Sequence, residues 1–510
     1  MRLSLIKNRY VIACSFRERF RVEDAGFQWD DTHKHWFTES PYVAYRVHTC
    51  ADNKAARVLN MIKANIQLSS ALSPVIGYDS DYYPFQAAGI EIGIEQLRKG
   101  RKSVLLADEQ GGGKTIEAIG IANELNLKKL MVICPASLRL NWAREIEKWH
   151  RHSLGVNPVV SAKNKVDLRV SNVVSYNLAA QMEEFEPDLI IVDEVHALKN
   201  AEAQRTKLVL GRKGESPGLV NKAPVLLLSG TPTPNGRPSE LWSCIYRLAP
   251  DVINGMTYWT FVRNFCTWED NGLDIKITGA KNTKELNTRL RGSGWMIRRY
   301  KKDVLKDLPP KQYKMVVFPV TRSTQKVVKK ESGFSAEEII AHGVPVGSGL
   351  PALRREMGVA KTPDCLTYIN SFLEGGEEKV VIFAHHKEVI EILVRKLDRW
   401  GVVVIVGATP QKKRQAAVDS FQSDPRIRVF IGSEAAEEGW TLTAAYNLIM
   451  VEPEWVPGKN DQRADRLHRI GQKFGVLVHL LVVERSLDAR ILSSAADKAT
   501  DIENILGIGE

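Results

Sequence analysis

The chain reads as an α/β protein built from two lobes, each a parallel sheet with helices on both faces, plus a small N-terminal α+β module. Three observations predict this. From Tyr82 onward, apolar runs of strand length alternate with helix-favouring segments. A second series of the same kind begins near residue 361, after a basic stretch and the Gly/Pro-rich segment 343–351. Ahead of both lies a segment dense in aromatics and turn residues. With 510 residues, 44% of them hydrophobic, the chain can bury cores of this number and size.

Residues 1–50 form the module. Tyr10-Val11-Ile12-Ala13 is a strand, and Ala25–Asp30 with His35–Thr38 is a hairpin turning through residues 30–34. Its aromatics Phe27, Trp29, Trp36 and Phe37 serve as a mini-domain core, as a base-stacking platform, or as both. Residues 51–77 are a connector and 78–308 the first lobe, with strands at 130–135, 172–175, 188–192 and 223–228. Residues 309–360 are a linker or brace. The second lobe, 361–510, carries strands at 379–384, 402–406, 429–431, 448–451 and 476–483.

Several functions are excluded early. The apolar runs fall far short of the ~20 residues of a membrane span, and no apolar leader follows Met1. The six cysteines stand apart without a CxxC pair, so neither a disulfide framework nor a zinc module is indicated. Net charge is +11, and residues 281–330 hold fifteen Lys/Arg against three Asp/Glu, a local footprint for a polyanion.

The chemistry centres on Ser103–Thr115. A buried strand, Val104–Ala107, runs into Gly111-Gly112-Gly113 and then Lys114-Thr115 at the start of a helix. That arrangement gathers backbone N–H groups and a positive helix end at one point, which suits a polyphosphate. Lys114 neutralises the β/γ phosphates and the Thr115 hydroxyl ligates Mg²⁺. The general phosphate-loop pattern expects glycine where Asp108 stands. Some 80 residues on, the apolar strand Leu189–Val192 ends in Asp193 and Glu194, at the end of the sheet where ligands bind. Asp193 suits Mg²⁺, and Glu194 suits the orientation and deprotonation of an attacking water.

Asp193-Glu194-Val195-His196 resembles the DExH box of superfamily-two helicases. Asp108-Glu109-Gln110-Gly111-Gly112-Gly113-Lys114-Thr115 resembles the phosphate loop of Swi/Snf-type DNA translocases, with Gln110 and Gly112 in place of the usual Met and Leu. Tyr83-Pro84-Phe85-Gln86, Cys134–Leu138 with Asn141-Trp142, Ser175-Tyr176-Asn177 and Ser229-Gly230-Thr231-Pro232 resemble further blocks of that family in order. So do Met296–Leu305 with Leu308–Lys311, Phe383–His386, Gly439–Ala445 (led by Glu437-Glu438 instead of Gly-Val) and Gln462–Gln472. The compact second lobe and the Ala25–Thr38 segment are most similar to the HARP-type annealing-helicase branch.

The resemblance implies two RecA-like lobes and an ATPase using ATP and Mg²⁺. It places Gln86 on the base edge, and assigns Asp108, Gly111, Gly112, Gly113, Lys114, Thr115 and Gln462 to the nucleotide and Thr115 and Asp193 to the metal. Catalysis falls to Lys114, Asp193, Glu194, Arg466 and Arg469. DNA contact falls to Ser137, Asn141, Arg298, Arg299, Lys301, His386 and Thr441. Arg466 and Arg469, three apart at a helix entry, share a face and reach the terminal phosphate when the lobes close. Such guanidinium groups speed related phosphoryl transfers roughly 10³–10⁵-fold.

The implied function is ATP-dependent translocation on duplex or branched DNA, independent of sequence, that remodels or reanneals forks and similar structures. A strand-separating helicase competes with it. So does an ATP-gated DNA-binding scaffold that barely hydrolyses, which rests on Gln110, Gly112, Glu437 and Glu438. A chain of this size without histone-reading domains is expected to be a monomeric, bacterial or virus-encoded cytoplasmic protein, neither secreted nor membrane-bound.

Overall fold

The computed structural model describes residues 1–74, 81–212, 216–270, 275–342, 347–376, 379–433, 440–455 and 457–494. Glu437, Glu438 and Gly439 lie outside them, as do residues 343–346 of the Gly/Pro-rich segment.

The N-terminal module is an antiparallel sheet of β1 (Arg2–Ile6), β2 (Arg9–Ala13), β3 (Gln28–Asp30) and β4 (His35–Thr38), in the order β1-β2-β4-β3. The hairpin pairs Trp29 with Trp36, whose rings meet edge-on at 5.5 Å. Phe27 lies in the core and Trp29 faces outward. The helix Asn53–Leu68 is started by Asp52, whose carboxylate accepts the Lys54 and Ala55 N–H groups. Its Ala55, Leu59 and Ile62 join Leu3, Ile12 and Phe27 in one core, so the module runs to Leu68. The expected boundary at residue 50 is corrected, because this helix buries its apolar face on the sheet.

The first lobe contains β5 (Ser103–Leu106), β6 (Leu130–Cys134), β7 (Val156–Val159), β8 (Ser171–Ser175), β9 (Leu189–Asp193) and β10 (Val225–Leu228). An antiparallel hairpin follows, β11 (Cys266–Asp270) with β12 (Ile275–Ala280), and then β13 (Met296–Ile297). Seven of these strands form a parallel sheet in the order β13-β5-β10-β9-β6-β8-β7. Its central strands are buried on both faces, which is why they are apolar throughout rather than alternating.

The second lobe is a parallel sheet of β14 (Lys311–Phe318), β15 (Val380–Phe383), β16 (Val402–Ile405), β17 (Val429–Gly432), β18 (Asn447–Met450) and β19 (Val476–Val483). Their order is β14-β19-β18-β15-β17-β16. Both lobes thus carry the expected α/β architecture. The stretch 309–360, expected as a linker or brace, supplies an edge strand: β14 pairs with β19 along its whole length. The helices Arg322–Glu331 and Leu350–Glu374 pack on that sheet, with Val327 and Met357 against Val483. No helix among the described residues is long and apolar enough to cross a membrane.

Candidate nucleotide site

The strand β5 runs into the glycine turn, and Gly111 and Gly113 adopt left-handed φ of 81° and 89°. That conformation favours glycine and lets Gly113 cap the helix Lys114–Glu124. Lys114 Nζ donates to the main-chain oxygens of Asp108 (2.7 Å) and Glu109 (3.1 Å). Burial lowers its pKa against the pull of Glu194, Asp108 and Asp193.

At the end of β9, Asp193 is held from three sides. Its Oδ1 accepts the Glu194 N–H at 2.9 Å, its Oδ2 the Trp142 indole N–H at 2.8 Å, and its main-chain oxygen the Tyr176 hydroxyl at 2.7 Å. Burial and the neighbouring Glu194 push the Asp193 carboxyl up to about 6. Burial acts on Glu194 in the same sense, but the His196 ring at 3.2 Å, Lys114 and Arg466 overcome it and hold Glu194 near 2. Glu194 is also a non-glycine residue in left-handed backbone (φ 53°), a strained conformation that costs on the order of 1–3 kcal/mol and that surrounding structure must enforce. One carboxyl of the pair is therefore poised to exchange its proton for a cation, the proton leaving to solvent, while the other stays an ionised acceptor.

The second lobe closes the site. A cavity of about 260 Å³ is lined by Gly111, Lys114, Thr115, Asp193 and Glu194 from one lobe and Thr441, Arg466 and Arg469 from the other. Arg469 donates to the Thr441 hydroxyl at 3.2 Å. Burial and Arg466 together lower its pKa to about 9. Two guanidinium groups packed into one dry cleft repel each other, and an anion between them relieves that repulsion. The helix Pro457–Ala464 ends before both arginines, so they sit on the turn that follows rather than on a shared helical face. Bonds of the i→i−3 type, such as Arg466 N–H to Arg463 O and Leu467 N–H to Ala464 O, make that turn.

The remaining expected site residues divide. Gly112, Asn141 and Thr441 lie at or beside the cavity, the latter two among its lining rather than on an outer groove. Gln86 is buried, accepts the Tyr83 N–H and donates to Gly112 O at 3.3 Å, bracing the glycine turn from beneath. Gln462 donates across the lobes to the Thr231 hydroxyl at 3.0 Å. His386 is half-buried against Glu452, and Ser137 is half-exposed at the crest of β6.

Four expectations are corrected. Asp108 does not face the cavity: its carboxylate is buried against the Arg299 guanidinium and accepts the Arg299 N–H at 2.8 Å. Arg299 also pairs with Glu117 at 2.7 Å, and Arg298 donates to Gly230 O at 2.9 Å. Lys301 reaches Asp465 and His468 O in the other lobe, each at 2.8 Å. Arg298, Arg299 and Lys301 are 3%, 2% and 6% exposed, so they hold the protein together and do not reach DNA. Sequence alone gives Trp142, Glu145 and Tyr176 no site role, although Trp142 and Tyr176 fall inside the family blocks. The i, i+3 spacing of Trp142 and Glu145 on one helix was the available signal.

The groups present suit a nucleoside triphosphate with Mg²⁺: a glycine turn at a helix start, three cations, and the Asp193 and Glu194 carboxyls lining one cavity with Thr115. A metal bound mainly by phosphate and water needs few protein ligands. Consistent with that, no group of three or more His, Cys, Asp or Glu among the described residues could hold a metal by itself.

Residues 85–342 match the SNF2-related domain, and residues 361–471 match the helicase conserved C-terminal domain. The chain belongs to the SNF2-related family. Among its relatives, the bovine SWI/SNF-related matrix-associated actin-dependent regulator of chromatin subfamily A-like protein 1 is 31% identical over 85% of this chain and 47% of its own length. The human DNA annealing helicase and endonuclease ZRANB3 is 32% identical over 79% of this chain and 38% of its own. This SNF2-related chain thus spans about half, or less, of the curated relatives it matches. A solved Sulfolobus solfataricus SWI2/SNF2 ATPase core in complex with dsDNA aligns with 86% of this chain and 96% of its own at 23% identity and a TM-score of 0.39. The expected bacterial or virus-encoded cytoplasmic origin is overturned, since these curated relatives are animal proteins, from cattle and human.

Proposed function

We propose that the chain is a DNA-dependent ATPase that uses ATP and Mg²⁺ to translocate along double-stranded DNA and to remodel or reanneal branched structures. One observation carries the reading: a single cavity takes Lys114 and Glu194 from one lobe and both Arg466 and Arg469 from the other. In this reading the Gly111–Gly113 turn and Lys114 hold the phosphates. Thr115 and Asp193 hold Mg²⁺, which offsets phosphate charge when bound. Glu194, ionised and backed by His196, orients and deprotonates the attacking water. Arg466 and Arg469 offset charge as the terminal phosphoryl leaves, which they can do only with the lobes together.

Closure is relayed outward by contacts that bridge the lobes, Gln462 to Thr231 and Lys301 to Asp465. Exposed Arg322, Lys326 and Lys329 on one face of the helix Arg322–Glu331 support a grip on the phosphate backbone. Such contacts carry no base information, so tracking is independent of sequence. A single chain supplies both sides of the cleft, which supports action as a monomer. The name of the human relative, DNA annealing helicase and endonuclease ZRANB3, supports a reannealing outcome over plain strand separation.

The test is the rate of ATP hydrolysis with single-stranded, duplex, forked and gapped DNA. Duplex-containing DNA should stimulate turnover, and Lys114→Ala should reduce it by at least about a hundredfold while DNA binding persists. Hydrolysis indifferent to DNA, or untouched by Lys114→Ala, contradicts the proposal.

A further inference from the structure

Gln110 stands immediately before the glycine turn and lines the nucleotide cavity, yet none of the roles above uses it. It is only 7% exposed, and neither its side-chain oxygen nor its nitrogen has a hydrogen-bond partner among the described residues. A buried amide with both ends unsatisfied is costly, and folded proteins rarely keep one without a purpose. Its placement is also constrained. The side chain lies in the space left by the missing Cβ of Gly230, where an added Cβ would collide with Gln110 Cγ. On the other side, Gly111 leaves just enough room for Arg469, whose Cγ would sit 2.8 Å from a Cβ there. The side chain thus packs on the Ser229–Pro232 turn, next to a Gly111 that lies against Arg469, in the cavity that Asp193, Glu194 and Arg466 also line.

The geometry points to Gln110 as the residue that reads the terminal phosphate. Its NH₂ donates to an oxygen present in a nucleoside triphosphate and absent from the diphosphate. Being neutral, the amide adds a donor without adding to the repulsion between Arg466 and Arg469, which a further cation would do. Its carbonyl end can accept from one of those guanidinium groups in the loaded site. Through its Cγ, Gln110 also packs against Gly230 in the turn whose Thr231 accepts from Gln462, so the third phosphate is reported across the cleft. This inference rests on the nucleotide reading of the cavity and gives it a triphosphate-specific contact.

The full chain, Gln110→Met and Gln110→Glu should be titrated with Mg²⁺–ATPγS and with ADP by calorimetry, alongside the melting temperature of each protein without nucleotide. Methionine keeps the shape and removes both polar ends. It should weaken ATPγS about tenfold or more, leave ADP unchanged, and melt at or above the original protein. Glutamate should weaken ATPγS further through repulsion. Equal loss for both nucleotides, or a lower melting temperature with no change in discrimination, assigns Gln110 to packing alone and overturns the inference. If the unaltered chain binds neither nucleotide, the nucleotide reading falls as well. If it discriminates and both variants discriminate equally, only the role of Gln110 falls.

Discussion

Arg299 shows how far the meaning of a residue depends on a partner that sequence proximity does not reveal. Within the basic run it looks like one phosphate-binding cation among fifteen. In the fold it neutralises Asp108, 191 residues away, and Glu117, whose carboxyl burial pushes well above its ordinary range. Arg299→Ala strands those two acids together in a dry site, and should cost roughly 3–5 kcal/mol in denaturant unfolding. If stability is unchanged and only the salt dependence of DNA binding falls, Arg299 is a DNA contact after all. The same logic explains Asp108 itself. The glycine expected at that position by the general phosphate-loop pattern is replaced by an acid that ties the loop to β13, a role visible only once β13 is placed beside β5.

Element by element, legibility followed burial. Strands buried on both faces, such as β5, β6 and β9, announce themselves as apolar runs and fall within a residue or two of expectation. β14 does not. Its sequence, Lys311-Gln312-Tyr313-Lys314-Met315-Val316-Val317-Phe318, is polar at its start because an edge strand leaves much of its surface in water. β13 is only two residues long and hides inside the basic cluster. The turn carrying Arg466 and Arg469 was legible as a motif but not as a conformation.

The helix Arg322–Glu331, in the stretch expected as a linker or brace, ends in a buried acid with a measurable signature. Burial drives the Glu331 carboxyl up to about 7, against the Leu487 N–H that it accepts at 2.8 Å. An acid whose folded pKa is raised stabilises fully below its unfolded value near 4.5, and that contribution is lost as pH rises through 7. Glu331→Gln should therefore flatten the fall in melting temperature between pH 5 and 8, by on the order of 2 kcal/mol of stability at the alkaline end. Parallel curves for the two proteins would contradict a buried, raised carboxyl there.

At the scale of the molecule, the two lobes and the chemistry between them were legible because the motifs are contiguous and their order is kept. The borders were not, since they depend on which surface a segment buries. The N-terminal module is a case in point. Its helix Asn53–Leu68 docks on the first lobe, with Asn65 donating to Gly292 O at 2.8 Å and Arg291 donating to the Ser69 hydroxyl at 2.7 Å. Nothing local in residues 51–77 signals that contact, because its other half lies more than two hundred residues on.

Cooperation of the lobes is the central claim, and single-turnover ATP hydrolysis on duplex DNA by Arg466→Ala and Arg469→Ala tests it most directly. The arginines belong to the lobe that does not hold the phosphate turn. Each substitution should slow hydrolysis about 10³-fold or more while ADP binding and duplex binding stay near those of the unaltered chain. Hydrolysis at the unaltered rate in either variant would mean that the second lobe contributes no charge to the reaction, and the two-sided site would be wrong.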